Sequence, residues 1–220
     1  NGGCGLCLCS VEHGNIEHRP YQRSALPDAQ KAQGKALMCC AVPSNDVVID
    51  VEGFTGAAAQ AAEVHTATVA HMEHLADDVM RVLLQLPGGK TLDVAAGQYI
   101  DILLDDSQRR AFSFANRPQA SSQIELHIRL VAGGRFTTHV FEQMQVGDAL
   151  RFEGPRGSFT LRESTHPILF VAGATGFAPI KSIVEDAFER GVQRPMRLYW
   201  GVRQRKDLYL LALCEQWARD

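Results

Sequence analysis

Five of the six cysteines in this 220-residue chain fall in two clusters, Cys4, Cys7 and Cys9, then Cys39 and Cys40; Cys214 stands apart. Clusters of this kind suit thiolate coordination of a metal better than a disulfide framework, which spreads its bridges along the chain. Cys4 and Cys7 form a C-x2-C pair inside the glycine-rich opening Asn1-Gly-Gly-Cys-Gly-Leu-Cys-Leu-Cys-Ser10. Glycines let backbone amides point at cluster sulfurs, and such hydrogen bonds tune a potential. Cys4, Cys7 and Cys39 are therefore expected as ligands of a [2Fe–2S] cluster, with Cys39 as the distant one. In the spacing C-x4-C-x2-C…C the first cysteine falls two places before Asn1, so three of four ligands are visible. The chain opens without Met and stops at Asp220 just after a helical pattern, so both ends are expected to be cut. A four-thiolate zinc site would need adjacent Cys39 and Cys40 to share one ion, which strains a tetrahedron. Free buried thiols are the third reading. Cys9 and Cys40 are expected to pack, although Cys9 is the one thiol able to substitute for the missing ligand.

The second chemical stretch is Val171-Ala-Gly-Ala-Thr-Gly-Phe-Ala-Pro179. Pro167 to Phe170 reads as a buried strand, and Ile180, Ile183, Val184, Ala187 and Phe188 recur at helical spacing. The order is strand, glycine turn, helix. Gly173 and Gly176 permit a sharp turn and close approach of a ligand. The free N–H groups of the new helix favour an anion such as phosphate, and Pro179 suits a first helical turn. A bare strand-to-helix turn carries the same signature. Gly133-Gly134 ahead of a short helix over Thr137–Met144 offers a second set of free amides.

These stretches need elements to hold them. The composition, 45% hydrophobic and 21% charged with net charge −3, is that of an ordinary globular protein with neither a nucleic-acid nor a membrane partner. No apolar run reaches membrane-spanning length and no signal peptide opens the chain, so a cytoplasmic location is expected. Asp46–Val51 alternates like a strand. Residues 52–64 are small and repetitive and read as a linker. Strand patterns follow at Thr66–Val69, Met80–Leu86, Tyr99–Leu103, Arg110–Phe114 and Gln123–Leu130, with turn signals between, which argues for an antiparallel barrel. From 163 onward the order is strand, helix, strand (Met196–Val202), helix (Asp207–Trp217), a parallel α/β unit with too few strands to be a complete domain.

Taken together the chain resembles the ferredoxin–NADP reductase superfamily of flavoproteins. Arg110-Ala-Phe-Ser113 looks like its R-x-[FY]-[ST] flavin motif, preceded by Gly97-Gln-Tyr99. Gly134-Arg-Phe-Thr137 resembles the pyrophosphate turn, Gly154-Pro-Arg-Gly-Ser-Phe159 the segment that closes the barrel, and Gly173 to Pro179 the G-x-T-G-x-x-P nicotinamide turn. Five motifs in order make a specific match. With the cysteine-rich start, the chain resembles the reductases that fuse a plant-type ferredoxin to this module. Gly176-Phe-Ala-Pro-Ile-Lys181 and Tyr199-Trp-Gly-Val-Arg203 are similar to the CDP-6-deoxy-Δ3,4-glucoseen reductases, and reductase components of aromatic-ring oxygenases are near relatives.

The resemblance implies a multidomain α/β and β chain. Residues 1–51 would be a partial β-grasp ferredoxin, 52–64 a linker, 65–162 an antiparallel six-stranded flavin-binding β-barrel and 163–220 a partial parallel α/β nicotinamide-binding domain. It implies FAD and a [2Fe–2S] cluster as cofactors, NAD(P)H as co-substrate, and a dehydrase or oxygenase as electron-acceptor partner. Arg110 and Ala111 would meet the flavin pyrophosphate, a fixed guanidinium fork suiting phosphate oxygens. Phe112 would pack against the flavin ring or its ribityl chain, with Tyr99 and Phe136 also among the cofactor-binding residues, although Phe112, Phe114 and Tyr99 read equally well as core residues. Ser113 would donate its hydroxyl near the nitrogen that accepts hydride. Gly134 and Thr137 would hold the pyrophosphate. Gly173, Thr175, Gly176 and Pro179 would bind the nicotinamide dinucleotide, with Arg203 toward its adenosine side. Arg203, Arg205 and Lys206 fit a 2′-phosphate, but the surrounding segment is equally at home in NADH users, and NADH is the expectation. A plain NAD(P)H:flavin reductase and a non-catalytic flavin-binding piece are the alternatives. His71 and His74 are read as exposed turn residues, His127 and His139 as structural, and Lys181 as part of a solvated face.

Overall fold

The computed structural model describes residues 2, 5, 7–51, 63–105, 108–118 and 122–219. Cys4 and residues 52–62, most of the 52–64 segment expected as a linker, lie outside the described residues. The chain divides into two compact units, Asn1–Gln60 and Ala61–Asp220.

The first unit comprises strands β1 (Leu8–His13), β2 (Ile16–His18), β3 (Lys35–Leu37), β4 (Ala41–Pro43) and β5 (Val48–Asp50) and a short helix with no buried residue, α1 (Asp28–Ala32). β1 is central, antiparallel to β3 on one side and β5 on the other, while β2 pairs β4. Leu26 and Leu37 are fully buried, and Cys9 and Cys40 point inward with them. That apolar set fixes which side of each cysteine-bearing segment faces solvent.

The second unit opens on the barrel: β6 (Val64–Ala76), β7 (Val79–Gln85), β8 (Tyr99–Leu103), β9 (Arg109–Ser113), β10 (Gln123–Arg129) and, after helix α2 (Arg135–Glu142), β11 (Ala149–Arg156). The six strands are ordered β10-β7-β6-β11-β8-β9, with antiparallel pairing throughout. A bridge between Phe114 and Leu126 joins the two outer strands. Alternation puts Val69, Val82, Leu84, Ile100, Ile102, Leu126, Ile128 and Phe152 inside, and Phe136 and Val140 of α2 pack against this core.

The strand patterns foretell five of the six strands. β11 escapes them because Gly154-Pro155 reads as a break, and the sheet absorbs it as a register shift between Glu153 and Arg156. β6 runs far beyond Val69. His71 and His74 lie on it, not in a turn, although both are exposed; shifts at Val69/His71 and His74/Ala76 disrupt the alternation that marks a strand.

The remainder is β12 (Ile168–Gly173) paired in parallel with β13 (Met196–Gly201), with α3 (Phe177–Glu189) between them and α4 (Leu211–Trp217) after. α4 is shorter than its pattern. A 3-10 turn occupies Arg205–Asp207, and Leu208 to Leu210 connect it to the helix. Phe177 stacks on Trp200 with ring centroids 3.8 Å apart, and Tyr209 meets Trp200 edge-on.

Candidate flavin, nicotinamide and iron–sulfur sites

In the first unit Cys7 and Cys39 come together. The Cys39 amide donates to the Cys7 sulfur over 3.4 Å, and the Gly2 amide donates to the Cys39 sulfur over 3.3 Å. The contact with Cys7, then the Gly2 amide, pulls the Cys39 thiol down to about 7. Cys9 and Cys40 instead reach backbone carbonyls of Ala36 and Leu37, and burial pushes both thiols up. Backbone amides aimed at the sulfurs of half-buried Cys7 and exposed Cys39 fit a cluster loop. The sequence reading of Cys9 and Cys40 as packing residues holds. Among the described residues no three metal-ligating side chains are gathered; Cys4 lies outside them.

In the second unit a cavity of about 580 Å³ collects most of the flavin motif. Arg110, Ala111, Phe112 and Ser113 supply one wall from β9, Gly134, Phe136 and Thr137 a second from the start of α2, and Thr175, Gly176 and Pro179 a third. Arg110 is exposed, its guanidinium resting on the Arg109 carbonyl at 2.8 Å and the Gln108 side chain at 2.5 Å. Phe112 and Phe136 pack with ring centroids 5.5 Å apart. The Thr137 hydroxyl accepts from the Val131 amide at 3.1 Å and lies 3.1 Å from the Gly134 carbonyl. It therefore shapes the turn. Gly134 is required here because a Cβ would lie 2.6 Å from that hydroxyl.

Tyr99 is not among the lining residues. It pairs with Ser113 across β8 and β9, and its ring sits where a Cβ on Gly157 would approach within 2.9 Å.

The nicotinamide turn borders this cavity and a second one of about 410 Å³, lined also by Asp78, Arg129, Gly173, Arg203 and Tyr209. Thr175 and Arg129 line both. Gly173 and Gly176 have ordinary φ values of −121° and −61°, and a Cβ on either would meet no atom within 4 Å. Nothing within the described chain demands glycine at these two places. The space they leave faces outward, as a cradle for a ligand against the backbone does. The left-handed position of the turn is Ala174, at φ 47°.

His127 is a lining residue that the sequence reading passed over as structural. It is buried in β10, with Nε2 2.8 Å from Glu125 and Nδ1 3.1 Å from the Tyr209 hydroxyl. A carboxylate only accepts, so Nε2 carries the proton and Nδ1 accepts from Tyr209. Burial holds the imidazole below its ordinary value against the pull of Glu125. Burial pushes the Glu125 carboxyl up, but His127 and the Lys181 ammonium outweigh it and leave it below the usual range. Lys181, expected on a solvated face, is buried. One carboxylate partner, Glu185, is its i+4 neighbour on α3; the other, Glu125, lies on β10, which no local pattern reveals.

Three family models match the chain: a 2Fe-2S iron–sulfur cluster binding domain over residues 1–44, an oxidoreductase FAD-binding domain over 66–161 and an oxidoreductase NAD-binding domain over 170–220. The reductase component 1 of terephthalate 1,2-dioxygenase from Comamonas sp is 38% identical over 99% of this chain and 64% of its own length. The CDP-6-deoxy-L-threo-D-glycero-4-hexulose-3-dehydrase reductase of Yersinia pestis is 33% identical, with 99% and 65% covered. Among solved structures, the Amycolatopsis cytochrome P450 reductase GcoB matches with a TM-score of 0.72 and 33% identity over 99% of this chain and 67% of that one. Barrel, glycine turn and cysteine loop define a modular flavin- and nicotinamide-binding class with an iron–sulfur domain. The chain belongs to the ferredoxin–NADP reductase superfamily, in the branch that carries an N-terminal plant-type ferredoxin domain. It spans about 64–65% of the length of the curated relatives it matches first. Among the described residues no helix is long and apolar enough to cross a membrane.

Proposed function

We propose that this protein is the electron-input part of an NAD(P)H-dependent reductase that serves an oxygenase or dehydrase partner in the cytoplasm. A bound FAD would supply the exchange between the electron pair of a nicotinamide hydride and the single electrons that a [2Fe–2S] cluster handles. The chain's part is to hold and orient. Its domains would be 1–51, 65–162 and 163–220, joined through 52–64.

Arg110 offers its fork to the flavin pyrophosphate, together with the backbone at Ala111 and the amides that follow Gly134. Phe112 and Phe136 form an apolar wall, Thr137 keeps the turn in shape, and Tyr99 supports Ser113 from the next strand. The Ser113 hydroxyl is the hydrogen-bond donor for the nitrogen that accepts hydride. Gly173, Thr175, Gly176 and Pro179 receive the dinucleotide, and Arg203 takes its adenosine-side phosphate. Cys4, Cys7 and Cys39 supply thiolates to the cluster.

The observation that carries this reading is the pair of cavities meeting at Thr175, beside two glycines whose open faces serve no packing need. The deciding experiment is the visible spectrum of the purified chain with FAD, before and after anaerobic NADH. A bound-flavin spectrum that bleaches is expected. A protein that stays colourless after incubation with FAD would overturn the reading.

A further inference from the structure

Helix α3 begins at the nicotinamide turn, so whatever fixes α3 on the barrel fixes that turn relative to Ser113. Beside the apolar packing of α3 with Ala96, a largely buried polar set does so. The Lys181 ammonium, 7% exposed, donates to the Ala115 carbonyl at 3.1 Å and lies 3.0 Å from Glu185 and 3.5 Å from Glu125. Ser182, fully buried beside it, donates to the Asn116 carbonyl over 2.8 Å. Arg117 pairs with Glu189 two turns further along. The barrel partners Ala115, Asn116 and Arg117 follow β9 after the single residue Phe114. Asn116 is itself tied to β10 through the Glu125 amide and the Gln123 carbonyl. From Glu125 the chain of donors continues to His127, which lines the flavin cavity, and to Tyr209, which lines the nicotinamide cavity.

A buried lysine between two carboxylates is a costly way to gain stability, since apolar residues of like volume fill such space as well. Its directional bonds do something apolar packing does not. They set the position of α3 along and around its axis relative to β9. Hydride transfer is steep in such a variable, and a displacement of about 1 Å can cost 100-fold in rate.

We propose that Lys181, seconded by Ser182, is a positioning residue for hydride transfer, tying the nicotinamide turn to the flavin strand so that the two rings meet in register. This rests on the proposed flavin and nicotinamide sites. Lys181 touches neither ligand; it acts through α3 and the backbone of residues 115–116.

The test compares wild type, Lys181→Met and Ser182→Ala as the 220-residue chain reconstituted with FAD. FAD affinity is read by fluorescence, flavin bleaching by rapid mixing over a range of NADH, and ring stacking by the long-wavelength charge-transfer absorbance. Amide exchange across residues 177–184 is read on the flavin-free chain. For Lys181→Met the bleaching rate at saturating NADH is expected to fall 10- to 100-fold. The charge-transfer band should weaken and α3 amides exchange faster, with FAD affinity within threefold of wild type. Ser182→Ala, which removes one oxygen and leaves the charges intact, is expected to fall 3- to 10-fold and keeps the test open if Lys181→Met does not fold. A saturated rate within twofold of wild type in every variant that folds overturns the proposal. So does a loss of FAD affinity as large as the loss of rate, the mark of a merely structural role. Wild-type chain that takes up no flavin fails the underlying reading instead, and removes the reaction that Lys181 would position.

Discussion

The indole N–H of Trp200 donates to the carbonyl of Ala174 over 2.9 Å, and Ala174 is the single non-glycine residue with positive φ among the described residues. A side chain at φ 47° is disfavoured by contacts between its Cβ and the backbone. The bond from β13 fixes this peptide at the point where β12 turns into α3. The same indole stacks on Phe177, the first residue of α3.

Trp200→Phe preserves most of that stack and removes the donor. Leaving a carbonyl unpaired costs about 1–3 kcal/mol, and the turn is free to relax. We expect NADH affinity to fall about 10-fold, of the order that 1.4 kcal/mol represents, with FAD affinity unchanged. Titration of each ligand against the variant checks this. Equal losses for both ligands would show that Trp200 supports the whole unit and not the turn.

Gly176→Ala separates packing from binding. The new Cβ meets nothing within 4 Å and φ is −61°, so the fold has no reason to object. Alanine lowers the entropy of the unfolded chain and stabilises by about 0.4–1 kcal/mol where its φ is compatible. The melting temperature should hold or rise slightly while NADH binding weakens at least 10-fold. A variant that melts early, or binds NADH as wild type does, contradicts the open-cradle reading.

His127 sets the sign of a pH effect. Its folded-state proton affinity is lowered by burial, so the unfolded chain binds the proton more readily. Stability from this group is present above the ordinary histidine value and is lost as pH falls from there toward the folded value. Glu125, also lowered, acts in the same direction below the ordinary glutamate value, while Glu185, raised by burial, opposes the histidine effect above that value, where the folded chain binds its proton more readily than the unfolded one. Melting temperatures from pH 7.5 to 5 should therefore decline in wild type. In His127→Gln, where nothing titrates between Glu125 and Tyr209, the decline should be shallower. Superimposable pH profiles for the two proteins would exclude His127 as the source.

Local pattern was enough for the glycine turn, for β9 and for the burial of Cys9 and Cys40. A turn and its flanking strand and helix are decided within about ten residues, and Cys9 is buried by the alternation of β1. What failed was non-local. Lys181 sits in a run that reads as the amphipathic helix it is, yet its burial depends on Glu125 from a strand 56 residues earlier. His127 gains its place from Tyr209, 82 residues later. β11 disappears behind Gly154-Pro155 because the register shift that tolerates them belongs to its pairing with β8.

The β6–β7 hairpin bears on the choice between NADH and NADPH. Asp77 at its tip pairs with Lys206 at 2.7 Å, and the Lys206 ammonium holds that carboxyl below the usual range. Asp78 pairs with Arg129, also at 2.7 Å. Asp78, Arg129, Arg203 and Asp207 line both the 410 Å³ cavity and an adjoining one of about 360 Å³ that Asp77 and Lys206 complete. Two of the three cations there are thus already matched by aspartates. A 2′-phosphate, near two negative charges at neutral pH, would arrive beside three carboxylates. The expected outcome is a kcat/KM for NADH at least 10-fold above that for NADPH at low ionic strength, where exposed charges are least screened. Asp77→Asn with Asp78→Asn frees Lys206 and Arg129, and should narrow the ratio several-fold by raising the NADPH value and leaving that for NADH near wild type. Steady-state kinetics with both nucleotides on both proteins decide it. A wild-type preference for NADPH, or a ratio unmoved by the double substitution, would mean that the hairpin carboxylates play no part in the selection.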